Sequence, residues 1–267
     1  MNQTHRQNKN IISIIGINNL PEIQPNDNLG ELIIQKSDLE GTKIKNGDIL
    51  VITQKLVSKS ENRIIKLSEV IPSSKAKSIS TKINRDPRLI ELILQESTRI
   101  VAMDSTRGLI ITQTRHGFIC ANSGIDSSNI SAEDEVSLLP IDPDLSADHI
   151  RNTIINKTDL TQLGVVITDT FGRAWRNGQV NVCIGIAGLN PIKDYRGLPD
   201  DNGSILTATE IAISDEIASA AELVMGKTNR VGVAIIRGYK YDDAKVTNSG
   251  YLLRDSDQDL FNEGKFV

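Results

Sequence analysis

The stretch Gly164–Arg176, GVVITDTFGRAWR, constrains the fold more than any other part of the chain. After Leu163 and the turn-side Gly164, the run Val165, Val166, Ile167 leads into Asp169-Thr170, then a glycine and two arginines. A short continuous apolar run bounded by polar turn residues reads as a strand buried on both faces. Ligands of open α/β sheets sit in the crevice beyond the carboxyl ends of strands. Asp169 and Thr170 are therefore expected at a rim, held by a rigid scaffold, with Arg173 and Arg176 nearby. One carboxylate, one hydroxyl and two guanidiniums suit a metal ion and a polyanion together. The competing reading is a strand-end Asp that only caps a turn, and further stretches of the same kind weigh against it.

Two such stretches occur. Asn46-Gly47 marks a turn, and Asp48–Thr53 (DILVIT) reads as a second buried strand that runs into Gln54, Lys55, Leu56, Val57, Ser58 and Lys59, with Arg63 and Lys66 beyond. Cations and a hydroxyl at a strand's exit can hold phosphates, although a solvated basic face has the same composition. Gly108–Gln113 and Gly117–Ala121, separated by Thr114-Arg115-His116, suggest a hairpin, with His116 a surface residue. Its second strand delivers Asn122-Ser123-Gly124-Ile125-Asp126 into a Gly- and Ser-rich loop, with Asn129 three residues on. Asx-turn chemistry alone also accounts for Asn122 and Asp126.

Along the rest of the chain, Ile11–Ile17 reads as a strand after ten residues expected to be disordered. Leu20-Pro21-Glu22-Ile23 reads as a loop, because proline removes a donor and restricts Leu20 before it. Asp27 or Asn28 can cap a short helix carrying Leu29, Leu32 and Ile33. A helical region is expected between Pro72 and Ile100, with Asp86-Pro87 as a start signal. Ser146 is read as the cap of a helix through Ile154, and Asn181–Leu189 as another apolar strand. Thr207–Met225 reads as the clearest helix, with a Thr207/Glu210 capping box and Gly226 as its stop. Its N-terminus near Thr209 would attract phosphate. Val231–Ile236 closes as a last strand before Arg237-Gly238-Tyr239, and a docked helix is expected in the polar last thirty residues.

Composition removes several classes of function. Aromatics make up only 3% of 267 residues, too few for stacking platforms on single-stranded nucleic acid. A net charge of −4 argues against nucleic-acid and anionic-membrane partners, so local basic clusters must serve something small. Cys120 and Cys183 lie in apolar runs and read as inert buried thiols, which suits a reducing compartment. The polar N-terminus has no apolar signal core, and no apolar run approaches the roughly 18 residues of a membrane helix, so a cytoplasmic location is expected. Neither GxxxxGK[ST] nor GxGxxG occurs, so any nucleotide site is unconventional. Three histidines, none beside a plausible nucleophile, argue against Ser-His-Asp catalysis.

The stretches that carry these signals also occur together, in order, in one known family. LPEI (Leu20–Ile23), GDILVITQKLVSKSENR (Gly47–Arg63), ANSGIDSSN (Ala121–Asn129), ITDTFGRAWRNGQVNVCIG (Ile167–Gly185), TEIAISDEIASAAELVMGK (Thr209–Lys227) and the RGY at Arg237 resemble the coenzyme F-420-0:gamma-glutamyl ligases. The likeness runs from about Ile11 to Tyr239. It is to the single-module archaeal type rather than the longer actinobacterial one with a nitroreductase-like domain. It implies a mixed α/β (α+β) protein with an unusual two-lobed fold, residues 11–267 forming one ligase module, and a homodimer with its nucleotide site near the subunit contact. It also implies GTP as co-substrate, L-glutamate and coenzyme F-420-0 as the other substrates, two divalent ions (Mn or Mg), and stimulation by potassium. Carried over by motif, Asp126 and Asp169 are expected to ligate the first metal, with Thr170 and Glu210 near the second. Leu20, Pro21, Glu22, Ile23, Gln54, Lys55, Lys59, Asn129 and Thr209 are expected to contact nucleotide. Arg173 and Arg176 are assigned to catalysis from charge alone. A glutamyl ligase for another carboxylate cofactor and a non-catalytic GTP-binding regulatory protein are the alternative functions.

Overall fold

The computed structural model describes residues 11–126, 134–244 and 247–259. The chain opens with β1 (Ser13–Ile17). Asn28 then caps α1 (Leu29–Leu39), its side-chain oxygen accepting from the Glu31 N–H. β2 (Ile49–Thr53) passes directly into α2 (Gln54–Ser60). β3 (Ile64–Lys66), α3 (Ser74–Ile83), α4 (Pro87–Gln95), β4 (Ser97–Asp104), β5 (Leu109–Thr114), β6 (Ile119–Ala121) and β7 (Glu135–Ser137) follow. Then come α5 (Pro143–Lys157), β8 (Gly164–Arg173), β9 (Arg176–Leu189), β10 (Lys193–Asp194) and β11 (Glu210–Ile211). α6 (Ile213–Met225), β12 (Val233–Arg237) and β13 (Asp243–Ala244) complete the order.

A six-stranded sheet, β1-β12-β2-β8-β9-β13, forms the centre. β2 and β8 run parallel and every other neighbouring pair is antiparallel. Leu50, Val51, Ile52, Val165, Val166 and Ile167 are all fully buried, as the unbroken apolar runs require. The two faces divide them. Leu50, Ile52, Val165 and Ile167 pack with Ile33 of α1 and Ala147, Ile150 and Ile154 of α5. Ile49, Val51 and Val166 pack with Ile217, Ala218, Ala221 and Met225 of α6. The molecule is thus built as helices, sheet, helix. Burying each such aliphatic side chain contributes about 1.5–3 kcal/mol, so β2 and β8 are the most strongly determined part of the fold.

The long connection between β2 and β8 folds a second core. α3 and α4 cover the sheet β4-β5-β6 and the ribbon of β3 and β7 through Ile79, Ile83, Ile90, Ile93, Ile110 and Val136. Close approach of the chain at one point demands glycine. β9 bulges opposite Ile167 and Thr168, and Gly185 there lies against α5. A Cβ on Gly185 would meet the Pro143 carbonyl oxygen at 2.4 Å. The bulge frees ladder N–H groups, and helix carboxylates take them: Asp144 accepts from Ile186 and Asp215 from Cys183.

Several local expectations are corrected. The helix read from Thr207 begins at Ile213, behind an Ala212 cap with no side-chain bond. Its supposed capping partner Glu210 belongs to β11 and ion-pairs with Arg196, so the long-range ribbon outcompetes the local box. Gly226 does end α6, at φ +56°. The helical reading to Ile100 fails at Ser97, where the β-branched run Thr98, Ile100, Val101 finds β5 as a partner. α5 starts earlier than Ser146, because Asp142 accepts from the Leu145 N–H and Pro143 fills the first helical position. The strand at Asp169 does not stop there but continues to Arg173 as half of a long hairpin with β9. In the last thirty residues the docked helix is not found among the described residues, which form β13 and a 3-10 turn, Ser249–Leu252. No helix is long and apolar enough to cross a membrane among them.

Candidate functional site

Register brings the site together at the carboxyl ends of the parallel pair. Thr53 of β2 lies opposite Thr168 of β8, so the residues that follow each strand become neighbours. After Thr53 the chain turns straight into α2, which sets Lys55 in its first turn beside β8. Asp126 arrives from the second core, where its backbone bridges Ser137: its N–H donates to the Ser137 carbonyl at 3.1 Å and its carbonyl accepts from the Ser137 N–H at 2.8 Å. Lys55 Nζ and Asp126 Oδ2 are 2.7 Å apart. Asp126 and Lys55 both lie near enough to Asp169 for their charges to act on its carboxyl.

Asp169 carries the strongest electrostatic signature in this cluster. Burial raises its carboxyl. The Thr170 N–H lowers it, the Asp126 charge raises it, and the Lys55 and Lys227 ammoniums lower it, leaving it at about 6. Cys120 stands close by, its thiol pushed up to about 12 by burial first and by the Asp169 charge second. Both cysteines are free and buried, as inert thiols should be.

Thr170 points to the opposite face of the strand from Asp169, as alternation requires. Directly across the hairpin is Asn181, whose Oδ1 accepts from the Thr170 hydroxyl at 2.7 Å. Asn181 Nδ2 donates to Glu222 Oε2 of α6 at 2.9 Å. Lys227, immediately past the Gly226 stop, closes the ring: its Nζ donates to Thr170 Oγ1 and lies 3.4 Å from Glu222 Oε1. Lys227, Glu222 and Asn181 were not singled out by motif. Glu222 and Lys227 lie within the quoted stretch Thr209–Lys227, and Asn181 within Ile167–Gly185, but neither stretch assigned them a role.

The remaining candidates fall into three groups. Gln54 is buried, its Oε1 accepting from Ser58, and its Nε2 finds no acceptor among the described residues. An orphan donor one residue from Lys55 suits an anionic or carbonyl ligand. Lys59 ion-pairs with Glu22, and with Ile23 both line a cleft of about 480 Å³ that also includes Asn62, Lys66 and Glu135. Leu20 packs on the first core beside them, and Pro21 is exposed between Leu20 and Glu22. Asn129 lies outside the described residues.

Other expected residues are placed elsewhere. Thr209 accepts from the Tyr195 N–H in the ribbon before α6, so it presents no helix N-terminus. Glu210, exposed in β11, is held by Arg196 at 3.0 Å. Arg173 and Arg176 face each other at the exposed end of the hairpin. Four residues of extended strand put Arg173 about 13 Å beyond Asp169. Among the described residues no group of three or more His, Cys, Asp or Glu is arranged to hold a metal ion. Two carboxylates, Asp126 and Asp169, are nonetheless a hard-oxygen pair suited to Mg or Mn.

This chain is similar to proteins whose names agree with one another. The family model described as F420-0:Gamma-glutamyl ligase matches residues 17–238. Coenzyme F420:L-glutamate ligase of Methanothermobacter thermautotrophicus is 42% identical over 253 residues, covering 94% of this chain and 98% of that protein. The Methanocaldococcus jannaschii protein of the same name is 38% identical, covering 95% of this chain and 98% of that protein. The Methanopyrus kandleri one is 41% identical, covering 82% of this chain and 84% of that protein. The six ordered motifs and a family match across both cores lead to one conclusion: the chain belongs to the F420-0:gamma-glutamyl ligase family.

Proposed function

We propose that this protein is a GTP-dependent ligase that joins L-glutamate through an amide, gamma-glutamyl linkage to coenzyme F420-0. The observation that carries the reading is the cluster of Lys55, Asp126 and Asp169 at the carboxyl ends of two parallel strands, in a chain of this family. A carboxylate is a poor electrophile and must be activated before an amine attacks it. In this reading a carboxylate oxygen of the acceptor attacks the γ-phosphorus of GTP, and the bond from that phosphorus to the GDP oxygen breaks. The glutamate nitrogen then attacks the carbonyl carbon of the acyl phosphate, loses its proton, and phosphate leaves with the C–O bonding pair.

Phosphoryl transfer of this kind depends on positioning and on neutralising charge. Lys55 supplies a point charge at the strand exit, and Lys59, with Glu22 and Ile23, lines the cleft assigned to the nucleotide. The Gln54 amide offers an unused donor next to them. A divalent ion, Mn or Mg, would be held by Asp126 and Asp169 and would neutralise phosphate charge. We further take the chain to act as a cytoplasmic homodimer stimulated by potassium, with Trp175, 79% exposed at the hairpin tip, near the subunit contact.

Incubation with GTP, Mn, L-glutamate and the precursor tests the reaction. Mass spectrometry should find increments of one glutamyl unit with one GDP released per unit. GTP hydrolysis without any glutamylated product would overturn the ligase reading.

A further inference from the structure

The segment that carries Asp126 into the site turns with the hand that L-amino acids disfavour. Asn122 and Ser123 both sit at φ +55° and Gly124 at +71°, the only run of three successive positive φ values among the described residues. The Ile125 N–H closes the turn on the Asn122 carbonyl at 3.0 Å. L-residues enter the left-handed region singly, because Cβ there crowds the following carbonyl oxygen. Asparagine and glycine tolerate it best, and they hold the first and third positions, so Ser123 carries the strain. Strain of this kind persists only where the surrounding structure over-determines it.

Separate elements of the second core hold the turn. Ser123, which is buried, donates its one hydroxyl hydrogen to the Ile93 carbonyl of α4 at 3.0 Å. The Thr112 hydroxyl of β5, 2.7 Å away, is therefore the donor to Ser123 Oγ, since a carbonyl can only accept. Asn122 Oδ1 accepts from Arg85 Nη1 at 2.7 Å. At Gly124 a Cβ would come within 2.7 Å of Cδ1 of the buried Leu139. Ile125 then enters the second core, and Asp126 is tied through both of its backbone groups to Ser137. From there its carboxylate reaches Lys55 of α2. Reversing the hand of a turn redirects the chain that leaves it, so the handedness of Asn122–Gly124 sets where that carboxylate lies.

We propose that the left-handed turn Asn122–Gly124 is a positioning device for the reaction: Asn122 and Gly124 act through Asp126, holding its carboxylate toward Lys55 where it can ligate a divalent ion. The inference rests on the ligase reading for what that ion does. What the site requires of position 122 is tolerance of a positive φ, and the bond to Arg85 is secondary to it.

Variants at position 122 separate conformation from contact. Asn122→Gly keeps the left-handed freedom and discards the Arg85 bond, Asn122→Ala loses the bond and resists the turn, and Asn122→Val resists it most. Mn binding to the chelator-treated full chain, read from the electron paramagnetic resonance of free Mn without nucleotide, should weaken in that order. Asn122→Gly should stay near wild type, and Asn122→Val should lose about ten- to a hundredfold in Mn affinity, as when the support of a metal ligand is removed. If Asn122→Val does not fold, Asn122→Ala against Asn122→Gly carries the same comparison. Ile79→Val loosens the second core at a residue that takes no part in holding the turn. It should lower the melting temperature and leave Mn affinity unchanged. Wild-type affinity in both Asn122→Ala and Asn122→Val, an Asn122→Gly as weak as they are, an equal loss in Ile79→Val, or no Mn binding by the wild type would each overturn the proposal. Because Mn affinity is read without turnover, a missing glutamylated product would sink the ligase reading while leaving the ranking to stand or fall separately.

Discussion

Replacing Asp169 by Asn should stabilise the metal-free protein at neutral pH while abolishing its function. The carboxyl rises from 3.8 to about 6 in the fold, chiefly through burial. At about 1.4 kcal/mol per pH unit, ionising it in the native state costs up to about 3 kcal/mol more than in the unfolded chain. A folded pKa above the unfolded one means that the native state keeps its proton where the unfolded state has lost it. Stability contributed by Asp169 is therefore full below pH 3.8, falls as pH rises through the window to about 6, and is lost above it. Asparagine does not titrate, and groups that do not interact with position 169 cancel in the comparison, leaving its charged neighbours Asp126, Lys55 and Lys227 as smaller contributors. Urea melts of chelator-treated wild type and Asp169→Asn, from pH 4 to pH 7.5, should show a difference that grows with pH by about 2 kcal/mol, the rest of the shift lying below pH 4. Adding Mn should reverse the order, because an ion bound only to the native wild type stabilises it by mass action. A difference that does not change between pH 4 and pH 7, or an asparagine variant that weakens as pH rises, would refute the reasoning.

Three further outcomes are expected. Lys55→Met removes an ammonium 2.7 Å from Asp126 and should lower kcat/KM by about ten- to a hundredfold, the equivalent of about 1.5–3 kcal/mol for a charged hydrogen bond. Steady-state kinetics that match wild type would place phosphate binding elsewhere. Arg237→Ala strips the bidentate partner from Asp48, which is 1% exposed, and should cost about 3–5 kcal/mol in urea melts. A loss below about 1 kcal/mol would mean that the Lys45 N–H bond suffices for Asp48. Cys120 and Cys183 are buried with thiols pushed up by burial, so Ellman's reagent at pH 8 should label neither until the protein is unfolded. Labelling of the native chain would contradict the packing of β6 and β9.

Much of the site was legible in local sequence because its supports are local. Unbroken apolar runs such as Leu50–Ile52 and Val165–Ile167 demand burial on both faces, and both proved fully buried. Asn28 as a cap, Pro87 at a helix start, and Gly226 as a stop follow from backbone geometry within a few residues, whereas the start at Pro143 was misplaced to Ser146. The ordered motifs placed the chain in its family without any coordinates. Tertiary structure alone determined what those motifs meet. The capping box at Thr207 lost to a ribbon in which Glu210 pairs with Arg196, a contact made across a loop. Lys227 reached Thr170 across 57 residues of chain, and Asp126 reached Lys55 from the second core. Local propensity amounts to tenths of a kcal/mol per residue, whereas burying a core side chain or closing an ion pair in a partly buried cleft contributes more than that. Where distant residues compete for the same partner, the contact with the larger free energy sets the outcome, and only the folded chain brings those competitors together.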